Sequence, residues 1–301
     1  MAATALSREE RLERARRRKP KRQIRSTDVL AWITLALLLL FSLVPMAWML
    51  STSLKTQFAA LQLPPEWIPS NITFEHYVRL LSPQSEVGQE FLRYFWNSIF
   101  VSSMTTLAAV AIAVPAGYAF SKFRFPGRQG FFIAVLIRNM FPAIVFLIPL
   151  FIMMRAVGLI DTHLALIITY LTFGLPLAIW LLKGFYDNIP TELEYAARID
   201  GASRFQAFIR IIMPLSSPGI IATAIYAFII AWNEYVYALT FLTSRELLTL
   251  PVGLQRFFDE YVTNWPGLMA ASFVMSIPVV IIFLVLQKFF VQALTEGAVK
   301  S

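Results

Sequence analysis

The chain has 301 residues, of which 57% are hydrophobic and only 15% are charged, whereas a soluble domain usually carries about 25% charged residues. One globular core cannot bury so many apolar side chains, so the composition predicts an integral membrane protein. The absence of cysteine excludes disulfides and thiolate metal sites, and the two histidines leave little for zinc chemistry. We therefore expect no metal site in this chain.

Six apolar segments are long enough to cross a bilayer, because a spanning helix needs about 20 residues. Only two charged residues, Arg138 and Glu234, lie within them. Open strands cannot satisfy their backbone groups in lipid, so the predicted fold class is an all-α integral membrane protein with about six transmembrane helices. The predicted spans are Val29–Leu50, Tyr94–Ser121, Gln129–Met154, Thr162–Leu182, Gly219–Thr243 and Tyr261–Gln287.

The basic residues predict how these spans are oriented. Lys and Arg number 19 in one alternate set of flanking segments and six in the other. Cytoplasmic loops carry an excess of basic residues, so both termini are predicted to lie in the cytoplasm of a bacterial cell, with the protein in its cytoplasmic (inner) membrane. Residues 1–28 form a basic cytoplasmic tail, interpreted as a topology anchor on anionic lipid, with a regulatory or partner-binding tail as the alternative. A basic tail that leads directly into a span does not indicate a nucleic-acid partner.

One long cytoplasmic segment, residues 190–214, reads as two short helices joined at Gly201. A glycine at the end of a helix readily takes a positive φ, so the first helix is predicted to stop there. The segment contains two spacings typical of capping boxes, Thr191 with Glu194 and Ser203 with Gln206.

Each of these short helices has an apolar face. The second carries a stripe, part of which is expected to dock on the protein's own spans, at Phe205, Phe208, Ile209 and Ile212. The first offers a face of small residues that is expected to enter a groove on another protein, at Leu193, Ala196 and Ala197.

The segment resembles the cytoplasmic EAA loop of permease subunits from binding-protein-dependent ABC importers. Five positions match the family pattern with every spacing kept, at Ala196, Ala197, Gly201, Ile211 and Pro214. Tyr195 stands where the signature glutamate belongs, and either Glu194 or Glu192 could supply its ion pair or be an ordinary first-turn charge. By this resemblance the ATPase-coupling residues are Glu194, Tyr195, Ala196, Ala197, Asp200, Gly201, Ile211 and Pro214.

The resemblance covers nearly all of residues 29–301 and points to the maltose-permease-like, sugar-importing class. It implies the type I ABC importer transmembrane fold, with a core at about 94–291 and the coupling loop at 190–214. The implied partners are a homologous second permease, two cytoplasmic ATPase subunits that bind ATP and magnesium, and an extracytoplasmic solute-binding protein. Residues 244–266 would face the binding protein and residues 294–300 the ATPases. This chain itself would hold no cofactor and catalyse no reaction.

The polar residues inside the predicted spans are candidates for the substrate path. A charge facing lipid is costly, so Arg138 and Glu234 should point into the bundle, and Asn139 and Asn233 lie beside them. These four could bind a sugar, or the two charges could hold spans together. A secondary transporter or channel for a small polar solute is the alternative function, although we see no internal repeat and only two such charges. No phosphate-binding loop or nucleophile motif is present to predict an enzyme.

Overall fold

The structure is a computed structural model that describes residues 26–257 and 263–298, with side chains for residues 29–255 and 263–287. These residues contain helices and no strand. The basic tail lies almost wholly outside them. The α-helices are α1 Ser26–Ser53, α2 Gln57–Leu61, α3 Glu75–Leu81, α4 Glu86–Lys122, α5 Arg128–Ile137, α6 Leu147–Ala156, α7 His163–Asn188, α8 Thr191–Ile199, α9 Arg204–Ala207, α10 Met213–Leu215, α11 Ser217–Trp232, α12 Val236–Phe241, α13 Leu250–Gly253 and α14 Trp265–Ala298.

Four of these helices, α1, α4, α7 and α14, are long and apolar enough to cross a membrane without interruption. Two further spans are bent: residues 128–156 turn by 99° and residues 204–232 turn by 73°. Counting each bent pair as one span gives six, in agreement with the prediction. The chain divides after Trp48 into two units, and most of α1 belongs to a different unit from the bundle that begins at Met49.

The third and fifth predicted spans are both interrupted. In the third, α5 passes through a 3-10 turn at Arg138–Met140, and a second one at Ala143–Phe146 leads into α6. Pro142 separates the two turns, because proline cannot donate the helical hydrogen bond. In the fifth, the helix ends at Trp232 and resumes at Val236. The continuous fifth span expected from Gly219 to Thr243 is therefore wrong.

Helices α4, α7 and α11 form the centre of the bundle, where small residues allow close approach. A Cβ atom added to Gly219 of α11 would come within 2.4 Å of the Phe185 ring on α7. One added to Gly117 of α4 would lie 3.0 Å from Leu182 Cβ on the same helix α7. These contacts hold α7 in a fixed position, and its two ends carry the two loops described next.

Candidate coupling loop and translocation path

The coupling loop (residues 190–214) turns sharply at Gly201. Helix α8 ends with Asp200 as its C-cap, and Gly201 has φ +91°, as its position predicts. The expected capping box between Thr191 and Glu194 is wrong, because no side chain caps the start of α8. The Glu194 carboxylate is instead buried against the protein, where it pairs with another residue.

That partner is Arg204, whose Nε atom lies 3.0 Å from Glu194 Oε1. The Glu194 side chain is only 5% exposed, and the Arg204 guanidinium also lies 4.7 Å from the centre of the Phe123 ring. A buried carboxylate needs such a partner, because breaking a buried pair is strongly destabilising. The ion pair joins the two short helices across the Gly201 turn.

The second helix begins with the predicted capping box, in which Ser203 and Gln206 bond each other's backbone. It runs through α9 into a π-helix at Phe208–Ile212 and then into α10. Ile212 is fully buried, and the Phe208 ring lies 4.4 Å from that of Tyr118 on α4. Half of the apolar stripe therefore docks on the spans, as predicted.

The remaining apolar side chains of the loop are exposed. On α8, Leu193, Tyr195 and Ile199 are 41%, 55% and 85% exposed. Ala196 is exposed beside them, but Ala197 is buried against its own protein, so the expected small-residue docking face loses that member. On the second helix, Phe205 and Ile209 are exposed, Ile211 is half-buried, and Pro214 is exposed near the return to the bundle.

The opposite end of α7 carries a second polar assembly, which we call the loop clamp: Asp161 and the residues that hold 242–250. Asp161 Oδ1 accepts from the backbone N–H groups of Thr243 and Ser244 at 2.8 and 2.9 Å, and Oδ2 accepts from the Ser244 hydroxyl. These hydrogen bonds lower the pKa of Asp161 to about 2, and the bond from the Ser244 hydroxyl has the largest effect. Asp161 is also the one non-glycine residue with positive φ among those described.

Three further side chains bind the same backbone. The His163 ring Nε2 lies 2.8 Å from the Leu247 carbonyl. Asn97 of α4 donates to the carbonyls of residues 246 and 248 at 2.8 and 2.9 Å, and the hydroxyl of Ser98 accepts from the Leu250 N–H at 2.7 Å. Sequence reasoning missed this clamp, because its members lie up to 152 residues apart. The one local signal of the clamp in the sequence was an aspartate at a turn before a helix.

Glu234, one of the candidate path residues, sits in the break between α11 and α12. Its carboxylate accepts from the backbone N–H groups of Tyr237 and Ala238 at 2.9 and 3.1 Å, and from the Tyr170 hydroxyl at 2.7 Å. It thus caps α12 and ties it to α7. These hydrogen bonds within the protein explain how a charged glutamate can lie inside a span.

Arg138 lies at the break in the third span and has a different environment. Its guanidinium carbon is 3.6 Å from the centre of the Phe173 ring and 5.3 Å from that of Phe146. Its Nη1 donates to Asn139 Oδ1 at 3.2 Å, while Nε and Nη2 are covered and meet no acceptor among the described residues. Asn139 and Asn233 are both exposed within this chain. The four candidates therefore comprise two exposed amides, one carboxylate whose two oxygens both accept hydrogen bonds within the protein, and one guanidinium with two nitrogens that meet no acceptor among the described residues.

Comparison with known proteins identifies the family to which this bundle belongs. The family model for the inner membrane component of binding-protein-dependent transport systems matches residues 109–296. The chain belongs to that family. The match includes α7, the coupling loop and both breaks.

Relatives of this transport component are similar over nearly their whole length. The trehalose transport system permease protein SugB of Mycobacterium tuberculosis is 38% identical, over 87% of this chain and 93% of the relative. The trehalose/maltose transport system permease protein MalG of Thermococcus litoralis is 38% identical, over 91% and 96%. A crystal structure of a bacterial ABC transporter that imports the acidic polysaccharide alginate has a chain that superimposes with a TM-score of 0.75 at 25% identity, covering 96% of this chain and 100% of that one. The expected fold class is confirmed.

Proposed function

We propose that this inner membrane component is a permease subunit of an ATP-driven importer of di- or oligosaccharides, which moves its cargo by alternating access. The coupling loop would bind one of two partner ATPase subunits, which hold ATP and magnesium, and a second permease would complete the translocation path. The observation that carries the proposal is the built geometry of the coupling loop. Its buried ion pair and docked rings support a helix, α8, whose outward side is exposed.

The exposed side of the coupling loop supports ATPase binding. Tyr195 and Ile199, one helical turn apart, present an exposed apolar face next to the charged Arg198 and Glu192. A face of this kind fits a hydrophobic groove in a partner protein. In this proposal Tyr195 lies at the rim of the groove, at the position of the signature glutamate, and the internal ion pair belongs to Glu194 instead.

The basic residues support the proposed orientation, in which both termini and the coupling loop lie in the cytoplasm. With the coupling loop in the cytoplasm, the 26 residues of α7 extend about 39 Å and bring the loop clamp to the outer face. The clamped segment would then face the solute-binding protein, as the family resemblance implies for residues 244–266. Of the C-terminal segment 294–300, expected to contact the ATPases, the structure describes the backbone to Ala298.

The translocation path would be lined by Asn139, Asn233 and Arg138. Exposed amides in an apolar span are costly against lipid, so they should face a water-filled cavity shared with the second permease. Amide groups bind sugar hydroxyls, and the nearby half-buried Phe173 ring provides apolar surface. Glu234 would shape this path by holding the break of the fifth span in place. The cargo class follows from the relatives named for trehalose and maltose.

Purification of the subunit from its own membranes in mild detergent tests the proposal. We expect a second permease and an ATPase to co-purify, and ATP hydrolysis to rise when the binding protein and a disaccharide are added. A matched preparation carrying Gly201→Pro should hydrolyse ATP without that stimulation. Solute transport by the isolated chain in the absence of any ATPase would contradict the proposal and favour a secondary transporter.

A further inference from the structure

Arg138 is a positive charge near the middle of its predicted span, and no counter-ion for it lies among the described residues. It follows the ten residues of α5, which rise about 15 Å, roughly half the thickness of the hydrocarbon core. Among the described residues no carboxylate is paired with it, whereas Lys183 pairs with Asp187 and Arg204 with Glu194.

The other charge of these spans does not supply the missing anion. Both oxygens of Glu234 are engaged by the α12 backbone and the Tyr170 hydroxyl. Arg138 instead rests on the Phe173 ring, with one nitrogen bonded to the neighbouring Asn139 and two nitrogens unmet. An arginine over an aromatic face is stabilised there without any acceptor.

This arrangement suits an acceptor that arrives and leaves. A permanently bound anion would pair with the guanidinium directly, and the ring contact would be unnecessary. An anion that binds only transiently leaves the guanidinium unpaired for part of the time, and the ring then stabilises the charge. The long arginine side chain can leave the ring, and the break at Pro142 allows the backbone beside it to move. The exposed Asn139 and Asn233 offer neutral polar contacts on the same stretch of the path.

We infer that the cargo of this permease carries an anionic group, a carboxylate, sulfonate or phosphate, which the Arg138 guanidinium binds as the sugar passes. A planar guanidinium pairs with oxyanions through two parallel hydrogen bonds, while amides and rings bind the neutral part of a saccharide. The inference rests on the proposed function, since it names the class of sugar that the same path accepts. Lipid phosphates lie too far from the membrane centre to be the partner.

The test uses the complete importer in proteoliposomes and pairs of disaccharides that differ only in one hydroxymethyl group oxidised to a carboxylate, such as cellobiose and cellobiouronate. Thermal stabilisation of the binding protein by each sugar is measured first, and ATP-driven uptake second. We expect preference for the acidic members in both. Arg138→Gln should lower acidic uptake at least about tenfold, as expected for loss of a charge-assisted pair, and Arg138→Lys should retain part of it. Arg155→Gln, an exposed arginine on the same span, is the control and should change nothing.

Two results would overturn the inference. One is a binding protein that prefers the neutral members or treats both alike. The other is an Arg138→Gln importer that loses neutral and acidic uptake equally, which would indicate a fixed partner on the second permease. Failure of the proposed function has a separate signature: the wild-type importer binds sugar through its binding protein yet takes up neither member when ATP is supplied.

Discussion

The two ends of the bundle are joined to their loops by different kinds of contact. At the loop clamp, side chains of Asp161, His163 and Asn97 bond directly to the backbone of the loop they hold. At the coupling loop, the ion pair is internal to the loop, and the link to the bundle rests on the packing of Phe208 against Tyr118 and of the Arg204 guanidinium against Phe123. Directed bonds to backbone fix a shape, whereas ring packing tolerates small shifts of one element on another. The comparison indicates that the clamped loop keeps its form, and we expect the coupling loop to move as one piece.

The largest effect is expected at Gly201, because its φ of +91° is closed to proline and strained for other residues. Gly201→Pro should reduce ATP-driven uptake by about 100-fold or more, since proline fixes φ near −65°. Uptake at equal membrane expression is the measurement. Gly130→Ala serves as control, because an added Cβ there meets no atom within 4 Å and the backbone is helical. Full activity of the Gly201 variant would show that the loop transmits nothing.

Loss of the internal ion pair should have the next largest effect. Glu194→Gln is expected to lower coupled uptake about tenfold, because it leaves the partly exposed Arg204 without its buried partner. Exposed Glu192 in the same helix provides the control as Glu192→Gln. The exchange of both charges, Glu194→Arg with Arg204→Glu, should restore part of the activity. Equal losses from the two glutamine variants would refute a special role for Glu194.

Release of the clamp should weaken docking of the binding protein more than turnover. Asp161→Ala removes the acceptor of two backbone N–H groups and should raise the binding-protein concentration for half-maximal ATPase stimulation roughly threefold to tenfold. The maximal rate should hardly change. Asp161→Asn, which keeps one acceptor oxygen, should lie close to wild type. A fall in maximal rate with unchanged half-maximal concentration would place Asp161 in the coupling process instead.

The clamp should also show a defined pH dependence. Because the folded pKa of Asp161 is lowered to about 2, its stabilising contribution is present above the unfolded value of about 3.9. It is lost as the pH falls through the folded pKa. Hydrogen exchange of the 243 and 244 amides should therefore remain slow from neutral pH to about pH 4, after correction for intrinsic rates. Release of these amides near pH 6 would contradict the assignment.

The smallest change is expected from restoring the family residue at Tyr195. Tyr195→Glu alters an exposed side chain and leaves the ion pair of Glu194 intact, so uptake should change by about twofold or less, typical of a substitution outside the buried core of an interface. A loss as large as that of Glu194→Gln would mean that the tyrosine carries the ATPase contact.

Sequence patterns predicted the elements that depend on local rules. The apolar segments, the Gly201 turn and the Ser203 capping box all follow from residues close together in the chain; the structure contains the turn and the capping box, and four of the six segments lie in uninterrupted spanning helices. The sequence left open whether Glu194 or Glu192 forms an ion pair or is an ordinary first-turn charge, and it did not identify Arg204 as the partner. The break at Glu234 and the clamp at Asp161 depend on contacts between distant segments, which neither periodicity nor spacing reveals.

Site-specific crosslinking tests the central claim most directly, that the coupling loop binds an ATPase. The sequence has no cysteine, so Ile199→Cys, at an 85% exposed position, creates a single attachment point for a thiol-linked photo-crosslinker. Val157→Cys, 65% exposed at the other end of the bundle, is the matched control. We predict that the label at 199 crosslinks to the ATPase subunit in intact membranes and that the label at 157 does not. Crosslinking to the ATPase from 157 and not from 199 would contradict the account.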